Sequence, residues 1–150
     1  MEITTDIIKQ LREKTGVSVM QCKKALGEAG GDLQKAEAIL KKNSIVSAQK
    51  KSERTLAAGT VGSYIHDGTI GAMVVLSCET DFVAKNPEFV ALARTLSMQV
   101  AAMDPENEED LLKQPSIKDE SRTVHDLLSE AAQKFGERIE ISRFARLSVR

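Results

Sequence analysis

The dipeptide Asp67-Gly68 constrains the fold of this chain more than any other feature of its sequence. It separates two runs in which apolar and polar residues alternate, residues 58–66 and 69–78. Aspartate and glycine readily adopt the positive φ angles of a two-residue type I′ turn, which joins antiparallel strands. The sequence therefore predicts a β-hairpin at this position. Apolar residues on both faces of its second strand are typical of a central strand.

Three short helices are predicted before the hairpin, in residues 1–43, because each has recognisable start or stop residues. The first ends at Gly16, which is suited to the left-handed C-cap conformation. The second follows Ser18, the first residue of a capping-box pattern. Asp32 can cap the third helix, which is expected to end where this segment ends.

The rest of the chain predicts a linker and a mixed core. Residues 44–56 are polar and lysine-rich, and we expect a partly helical linker. Residues 57–150 are expected to form an α+β core, in which a three-stranded antiparallel sheet packs on helices. Apolar spacing predicts helices at 87–103 and 121–135, joined by an acidic connection, and then a strand that returns to the hairpin. The residues expected to share one face of that strand are Ile139, Ile141, Ala145, Leu147 and Val149.

The charge and cysteine content exclude several classes of function. The 21 basic and 22 acidic side chains nearly cancel, so no overall field attracts nucleic acid or an anionic membrane. Cys22 and Cys78 show no spacing typical of a disulfide framework or a zinc site. There is no glycine pattern for phosphate binding, and the first residues lack the features of a leader segment. We expect a cytoplasmic protein that needs no cofactor or metal and binds no nucleotide, nucleic acid or membrane directly.

Three stretches of the sequence are similar to segments of one known family. The first comprises Leu11–Gly16, Met20–Leu26, Gly31-Asp32 and Lys35-Ala36, the second is Cys78–Asn86, and the third is Phe135–Ile139. The residues of these stretches and the order of the stretches along the chain resemble the elongation factor Ts family. Together the stretches span nearly the whole chain. The resemblance implies a small three-helix domain, similar to ubiquitin-associated domains, tethered to an α+β core.

The resemblance also implies a function. Members of this family are exchange factors, not enzymes of covalent chemistry: they bind elongation factor Tu carrying GDP, displace its magnesium ion and release GDP, so that GTP can bind. By resemblance, the element that pushes into the nucleotide-binding domain of elongation factor Tu consists of Thr80, Asp81, Phe82 and Val83. The residues expected to contact the same partner from the amino-terminal domain are Arg12, Met20 and Lys23.

Other interpretations of these residues remain open from the sequence alone. Asp81 could be a turn or N-cap residue and Phe82 a plug over the end of the hairpin, while Met20 could belong to a core. Two other functional classes are a protein-interaction module without exchange activity and an enzyme that pairs Cys78 with His66. No oxyanion-hole pattern accompanies that pair. The core is short for the family, which is compatible with either a monomer or a homodimer.

Overall fold

The computed structural model describes residues 2–51 and 53–150, with the backbone alone for residues 47–51. The chain divides into two compact units. The helical unit comprises Met1–Glu53 and Ser129–Gly136, and the sheet unit comprises Arg54–Leu128 and Glu137–Arg150. Among the described residues, helices occur together with a three-stranded antiparallel sheet, so the predicted α+β class is confirmed.

Most of the described part of the helical unit consists of three helices, and predicted capping residues lie at the end of the first and at the starts of the second and third. They are α1 (Thr5–Thr15), α2 (Val19–Glu28) and α3 (Leu33–Lys51). At the end of α1, Gly16 has a φ of 70°, the left-handed conformation expected of it. At the start of α2, the Ser18 hydroxyl accepts a hydrogen bond from the N–H of Gln21, the third residue of the helix. The buried core of this unit includes Leu11, Val17, Cys22, Leu26, Ala36 and Leu40.

Helix α3 is longer than the sequence pattern predicts. It continues through Lys51, so residues 44–51 of the predicted linker are helical. No glycine or proline occurs between Gly31 and Gly59, and the sequence therefore contains no residue that would stop the helix near residue 43. The side chain of Ser44 is buried, and its hydroxyl donates to the backbone carbonyl of Ser129 at 3.0 Å. This bond ties the extension of α3 to the carboxyl-terminal segment of the same unit.

The sheet confirms the predicted hairpin. Strands β1 (Ala58–His66) and β2 (Ile70–Cys78) pair antiparallel, and β3 (Glu140–Ser148) pairs antiparallel with the other edge of β2. Asp67 and Gly68 at the turn have φ angles of 49° and 66°, the two positive values of a type I′ turn. β2 is the central strand, as its apolar residues on both faces predict.

A β-bulge in β3 reverses the orientation of the side chains that follow it. Val75 pairs with Arg143, but Leu76 pairs with Ile141, so Ser142 is an extra residue on β3. Because side chains alternate between the two faces of a strand, one extra residue moves every later side chain to the opposite face.

The expected shared face of the last strand is therefore wrong beyond the bulge. Phe144 lies opposite Val74, on the buried face, and Arg146 lies on the same side. The apolar residues that are exposed instead are Ala145, Leu147 and Val149. A strict alternation applied to the sequence cannot detect this change, although the two residues that interrupt the alternation, Arg143 and Phe144, follow the bulge directly.

Four further helices follow β2 in the described part of the chain: α4 (Asp81–Ala84), α5 (Pro87–Met103), α6 (Glu108–Lys113) and α7 (Val124–Phe135). Helix α5 packs against β1 and β2. Its buried side chains include Phe89, Ala93, Leu96 and Val100. Within the described residues, none of the helices is both long and apolar enough to cross a membrane.

The region between α5 and α7 differs from the prediction at two points. The acidic connection contains the short helix α6, whose Leu111 is buried against the sheet unit's interior. Helix α7 begins at Val124 rather than near Ser121, because Thr123 and Asp126 form a capping box. The Thr123 hydroxyl accepts from the N–H of Asp126, and the Asp126 carboxylate accepts from the N–H of Thr123, both at 3.1 Å.

A close approach between β1 and α5 sets the distance between the helix and the sheet. A Cβ atom added at Gly62 would lie 2.4 Å from the backbone carbonyl of Ala93, which is too close for any real side chain. Glycine is therefore required there by the packing and not by its φ angle. At Gly71 on β2, an added Cβ would meet nothing nearer than 3.7 Å.

We predict that Gly62→Ala destabilises the sheet unit by about 1–3 kcal/mol, since overpacking a tight contact has roughly that cost. Gly71→Ala in the same sheet is the matched control, and its stability should change by less than about 1 kcal/mol. Urea unfolding can be followed by the fluorescence of Tyr64, because it is the single tyrosine, lies in β1, and the chain has no tryptophan. Equal unfolding midpoints for the two variants would contradict the close approach.

Candidate functional site

The residues Thr80–Val83 form one turn of helix just beyond the end of β2, and we call them the Thr80–Val83 turn. Thr80 is the N-cap of α4: its hydroxyl accepts from the N–H of Val83 at 3.4 Å. Asp81 lies in the first turn, where its negative charge interacts favourably with the helix dipole. The cap is therefore Thr80, and the interpretation of Asp81 as the N-cap is wrong.

The side chains of this turn point in opposite directions. Val83 is buried in the sheet unit, with 4% of its surface exposed, so its side chain anchors the turn. Phe82 is 86% exposed, and Asp81 and Thr80 are exposed beside it. The interpretation of Phe82 as a plug over the end of the hairpin is wrong, because a plug would be buried. An exposed aromatic ring on an anchored turn is instead available to another molecule.

Glu137, which lies just before β3, bonds directly to the start of the turn. Its Oε1 accepts from the backbone N–H groups of Glu79 and Thr80, both at 3.0 Å, and its Oε2 accepts from the Thr80 hydroxyl at 2.7 Å. In the opposite direction, the Glu79 carboxylate accepts from the backbone N–H of Arg138 at 2.6 Å. We call Glu79, Thr80, Glu137 and Arg138 the carboxylate clasp.

The clasp is further connected to the start of the sheet unit. The guanidinium of Arg138 donates to the carboxylate of Glu140 at 2.8 Å and to the backbone carbonyl of Arg54 at 2.6 Å. The guanidinium of Arg54 in turn lies 3.5 Å from the carboxylate of Glu79. Sequence reasoning missed these contacts. The resemblance of Phe135–Ile139 to a known family marks the segment, but no local pattern indicates what Glu137 and Arg138 touch.

Cys78 lies beneath the turn at the end of β2 and is fully buried. Its thiol donates to the carbonyl of Thr80 at 3.2 Å. Burial raises the pKa of the Cys78 thiol above its ordinary value, and the negative charges of Glu137 and Asp81 raise it further, against the lowering effect of the hydrogen bond with Thr80. A thiol that is buried and held protonated is a poor nucleophile.

The hypothesis of a Cys78–His66 catalytic pair is wrong. In the hairpin register, His66 lies opposite Ile70 beside the turn, and Cys78 lies opposite Ala58 at the other end of the strands. Eight residues of extended strand separate the two positions along β2, which is roughly 25 Å. Across the described residues, no group of three or more His, Cys, Asp and Glu side chains is arranged to hold a metal ion.

The three predicted contact residues of the amino-terminal domain are exposed on adjacent helices. Arg12 lies on α1, and Met20 and Lys23 lie on α2. Met20 is 82% exposed, whereas Cys22 on the same helix is buried. The interpretation of Met20 as a core residue is therefore wrong, and its thioether is a flexible apolar group at the surface.

Known proteins are similar in sequence to this chain over nearly its whole length. The family described as "Elongation factor TS" matches residues 79–150, which include the Thr80–Val83 turn and the whole carboxylate clasp. The elongation factor Ts of Thermodesulfovibrio yellowstonii is 38% identical over 193 aligned positions, which cover 99% of this chain and 97% of that protein. The chain belongs to the elongation factor Ts family.

Two more relatives with the name elongation factor Ts show how the chain compares in length. That of Desulforamulus reducens is 37% identical, with 97% of this chain and 88% of that protein covered. That of Clostridium botulinum is 45% identical over 98% of this chain, but this chain spans only 48% of the length of the Clostridium protein. The alignment to the Thermodesulfovibrio protein is longer than the 150 residues of this chain, so that elongation factor Ts contains internal residues that this chain lacks. Guanine-nucleotide exchange during translation elongation is the role of this family.

We predict that Cys78 reacts slowly with iodoacetamide at pH 8, at least about tenfold more slowly than in the urea-unfolded chain, because only the thiolate reacts. The ordinary pKa of the thiol is 9.0 and folding raises it, so the folded state favours the neutral form. That contribution to stability is present below pH 9 and is lost as the pH rises through the higher folded pKa. Mass-spectrometric peptide mapping separates Cys78 from Cys22. Equal rates for the folded and unfolded chains would contradict the burial of this thiol.

Proposed function

We propose that this chain is a cytoplasmic guanine-nucleotide exchange factor of translation elongation. It binds elongation factor Tu carrying GDP, displaces the magnesium ion from the nucleotide site and promotes the release of GDP, so that GTP can bind. It performs no covalent chemistry and needs no cofactor of its own. The observation that carries this proposal is the ring of Phe82, which is 86% exposed on a turn whose neighbouring Val83 is buried.

The chemistry of the partner's nucleotide site explains why one inserted ring is sufficient to promote the release of GDP. In GTPases a magnesium ion bridges the phosphates of the nucleotide to the protein and neutralises much of their charge. A group that displaces the ion therefore weakens every contact to the diphosphate. Phe82 is suited to this because a phenyl ring is rigid and large, and its burial in a partner's pocket contributes about 1.5–3 kcal/mol.

Each residue of the Thr80–Val83 turn has a separate role in this proposal. Thr80 caps the turn and Val83 anchors it, as their hydrogen bond and the burial of Val83 support. The ring of Phe82 enters the partner, and the exposed carboxylate of Asp81 is placed to accept hydrogen bonds from backbone that the ring displaces. Since binding is thermodynamically reciprocal, GDP weakens the binding of this chain by the same factor by which this chain weakens the binding of GDP.

The helical unit is proposed to make a second contact with the same partner. Residues 1–43 would act as a small domain similar to ubiquitin-associated domains, followed by a partly helical linker in 44–56 and the α+β core in 57–150. The exposed side chains that support such a contact are Arg12, Met20 and Lys23. This contact would contribute affinity, whereas the Thr80–Val83 turn would drive the release of nucleotide.

We predict that Phe82→Ala lowers the maximal rate of GDP release from elongation factor Tu by about 10–100-fold, the loss that corresponds to removing one buried aromatic ring. The measurement uses fluorescent GDP preloaded on elongation factor Tu and a titration with this protein. Because the ring is exposed, the variant should unfold at the wild-type urea midpoint. Ile65→Ala is the matched control, since Ile65 is also an exposed apolar residue of the sheet unit, 72% exposed at the far end of the hairpin. Wild-type release by Phe82→Ala would refute the proposal.

We predict that Met20→Ala raises the concentration of this protein needed for half-maximal GDP release by about 3–10-fold and leaves the maximal rate unchanged, because it removes a binding contact without touching the turn. Val46→Ala, an exposed apolar residue of α3, is the control. The alternative of an interaction module without exchange activity predicts a different pair of results. In that case Met20→Ala would reduce binding, and neither wild type nor Phe82→Ala would accelerate GDP release.

A further inference from the structure

We propose that Glu137 is a positioning residue for the Thr80–Val83 turn, which it holds in the orientation that presents Phe82 to the partner. This inference rests on the proposed function, because it assigns a role in exchange to a residue that lies outside the turn. Glu137 does not touch the partner in this mechanism. It acts through Thr80.

The carboxylate of Glu137 satisfies several hydrogen-bond donors at the start of the turn. The two oxygens of Glu137 accept three hydrogen bonds, from the backbone N–H groups of Glu79 and Thr80 and from the Thr80 hydroxyl, at 2.7–3.0 Å. Hydrogen bonds to a carboxylate are stronger than those between neutral groups. Three of them fix both the position and the rotation of the peptide that leads into the turn.

The Thr80 hydroxyl connects Glu137 to the N-cap bond of the turn. A hydroxyl group has one hydrogen to donate and lone pairs to accept with. The hydrogen of the Thr80 hydroxyl goes to Glu137, and a lone pair accepts from the N–H of Val83 at 3.4 Å. The direction of the N-cap bond is therefore set by Glu137, which is 57 residues away in sequence from Thr80.

Helix α4 is too short to determine its own geometry. The helix comprises Asp81–Ala84, four residues, and so short a helix has no independent stability. Its geometry depends on the groups attached to its two ends. Val83 anchors the later end by burial, and the carboxylate clasp restrains the beginning. Phe82 lies between these two attachments and its exposed ring has little contact of its own, so the ring goes where the backbone of the turn places it.

The reciprocal bond strengthens this restraint. The Glu79 carboxylate accepts from the backbone N–H of Arg138 at 2.6 Å, so the turn segment and the segment before β3 each contribute a carboxylate to the backbone of the other. A hinge movement of the turn would have to break bonds in both directions. A turn held in this way loses less conformational freedom when it binds, which favours productive insertion of the ring.

The test compares Glu137→Ala and Thr80→Val with wild type in the full chain. Both variants should lower the maximal rate of GDP release from elongation factor Tu about tenfold, less than the roughly 100-fold loss that a full 1 Å misplacement can cause. Glu109→Ala is the matched control, because it also removes a hydrogen-bonded carboxylate from the sheet unit, the one that binds Lys113 at 2.9 Å. It should release GDP at the wild-type rate.

Two further readouts separate positioning from a general loss of stability. Hydrogen–deuterium exchange of the peptide 79–86 should become at least about tenfold faster in Glu137→Ala, while peptides from β1 and α5 keep their protection. In addition, the double variant Glu137→Ala/Phe82→Ala should release GDP no more slowly than Phe82→Ala alone, because a residue that acts through the ring has no effect once the ring is gone.

Each outcome decides one of the two proposals. If Phe82→Ala slows release and Glu137→Ala does not, the positioning role is wrong and the proposed function stands. Additive losses in the double variant, or a loss of protection across the whole sheet unit, would also overturn the positioning role. If Phe82→Ala releases GDP at the wild-type rate, the proposed function itself fails. Should Glu137→Ala not fold, Glu137→Gln carries the same comparison, since glutamine has the shape of glutamate but has one acceptor oxygen instead of two.

Discussion

The pairing of β2 with β3 is the interaction on which the rest of the structure depends. It makes β2 the central strand, and it brings the residues after β2 beside those before β3, although Glu79 and Glu137 are 58 positions apart in sequence. The backbone N–H groups just after the end of β2 have no strand partner, and they lie before the first hydrogen-bonded turn of α4. The Glu137 carboxylate satisfies two of them, which is the usual requirement for polar groups near a protein core. The Thr80–Val83 turn thus begins where the sheet's own hydrogen bonding ends.

Under the proposed function, the Thr80–Val83 turn separates residues that stabilise the fold from the residue that binds the partner, within four positions. Val83 contributes to the core and Thr80 completes the cap, so both stabilise the sheet unit. The ring of Phe82 contributes almost nothing to folding, because a side chain that stays 86% exposed gains little from the hydrophobic effect. A large aromatic group in such a position departs from the ordinary pattern of apolar residues inside. Departures of this kind are expected at functional sites, where binding and not folding determines the residue.

The short connection between α5 and α7 is held by a buried amide. Gln99 is 2% exposed, and its side-chain nitrogen donates to the side chain of Gln114 and to the backbone carbonyl of Pro115. Its side-chain oxygen accepts from the N–H of Ile117 at 2.9 Å. One glutamine therefore supplies partners to a segment that has little regular structure of its own. These bonds attach the acidic connection to α5.

The sequence by itself determined the features that depend on neighbouring residues. Asp67-Gly68 specified the hairpin turn, Gly16 and Ser18 specified helix ends, and the motif around Phe82 identified the family, because turns, caps and motifs are local. Features that depend on distant partners required the tertiary structure. The bulge at Ser142 reversed the faces of β3, Ser44 packed into the helical unit on an α3 longer than predicted, and Glu137 bonded to Thr80. Sequence spacing cannot specify such contacts, since strand register and packing choose which distant groups meet. The exposure of Phe82 was likewise decided by the fold, because the same ring could have covered the end of the hairpin.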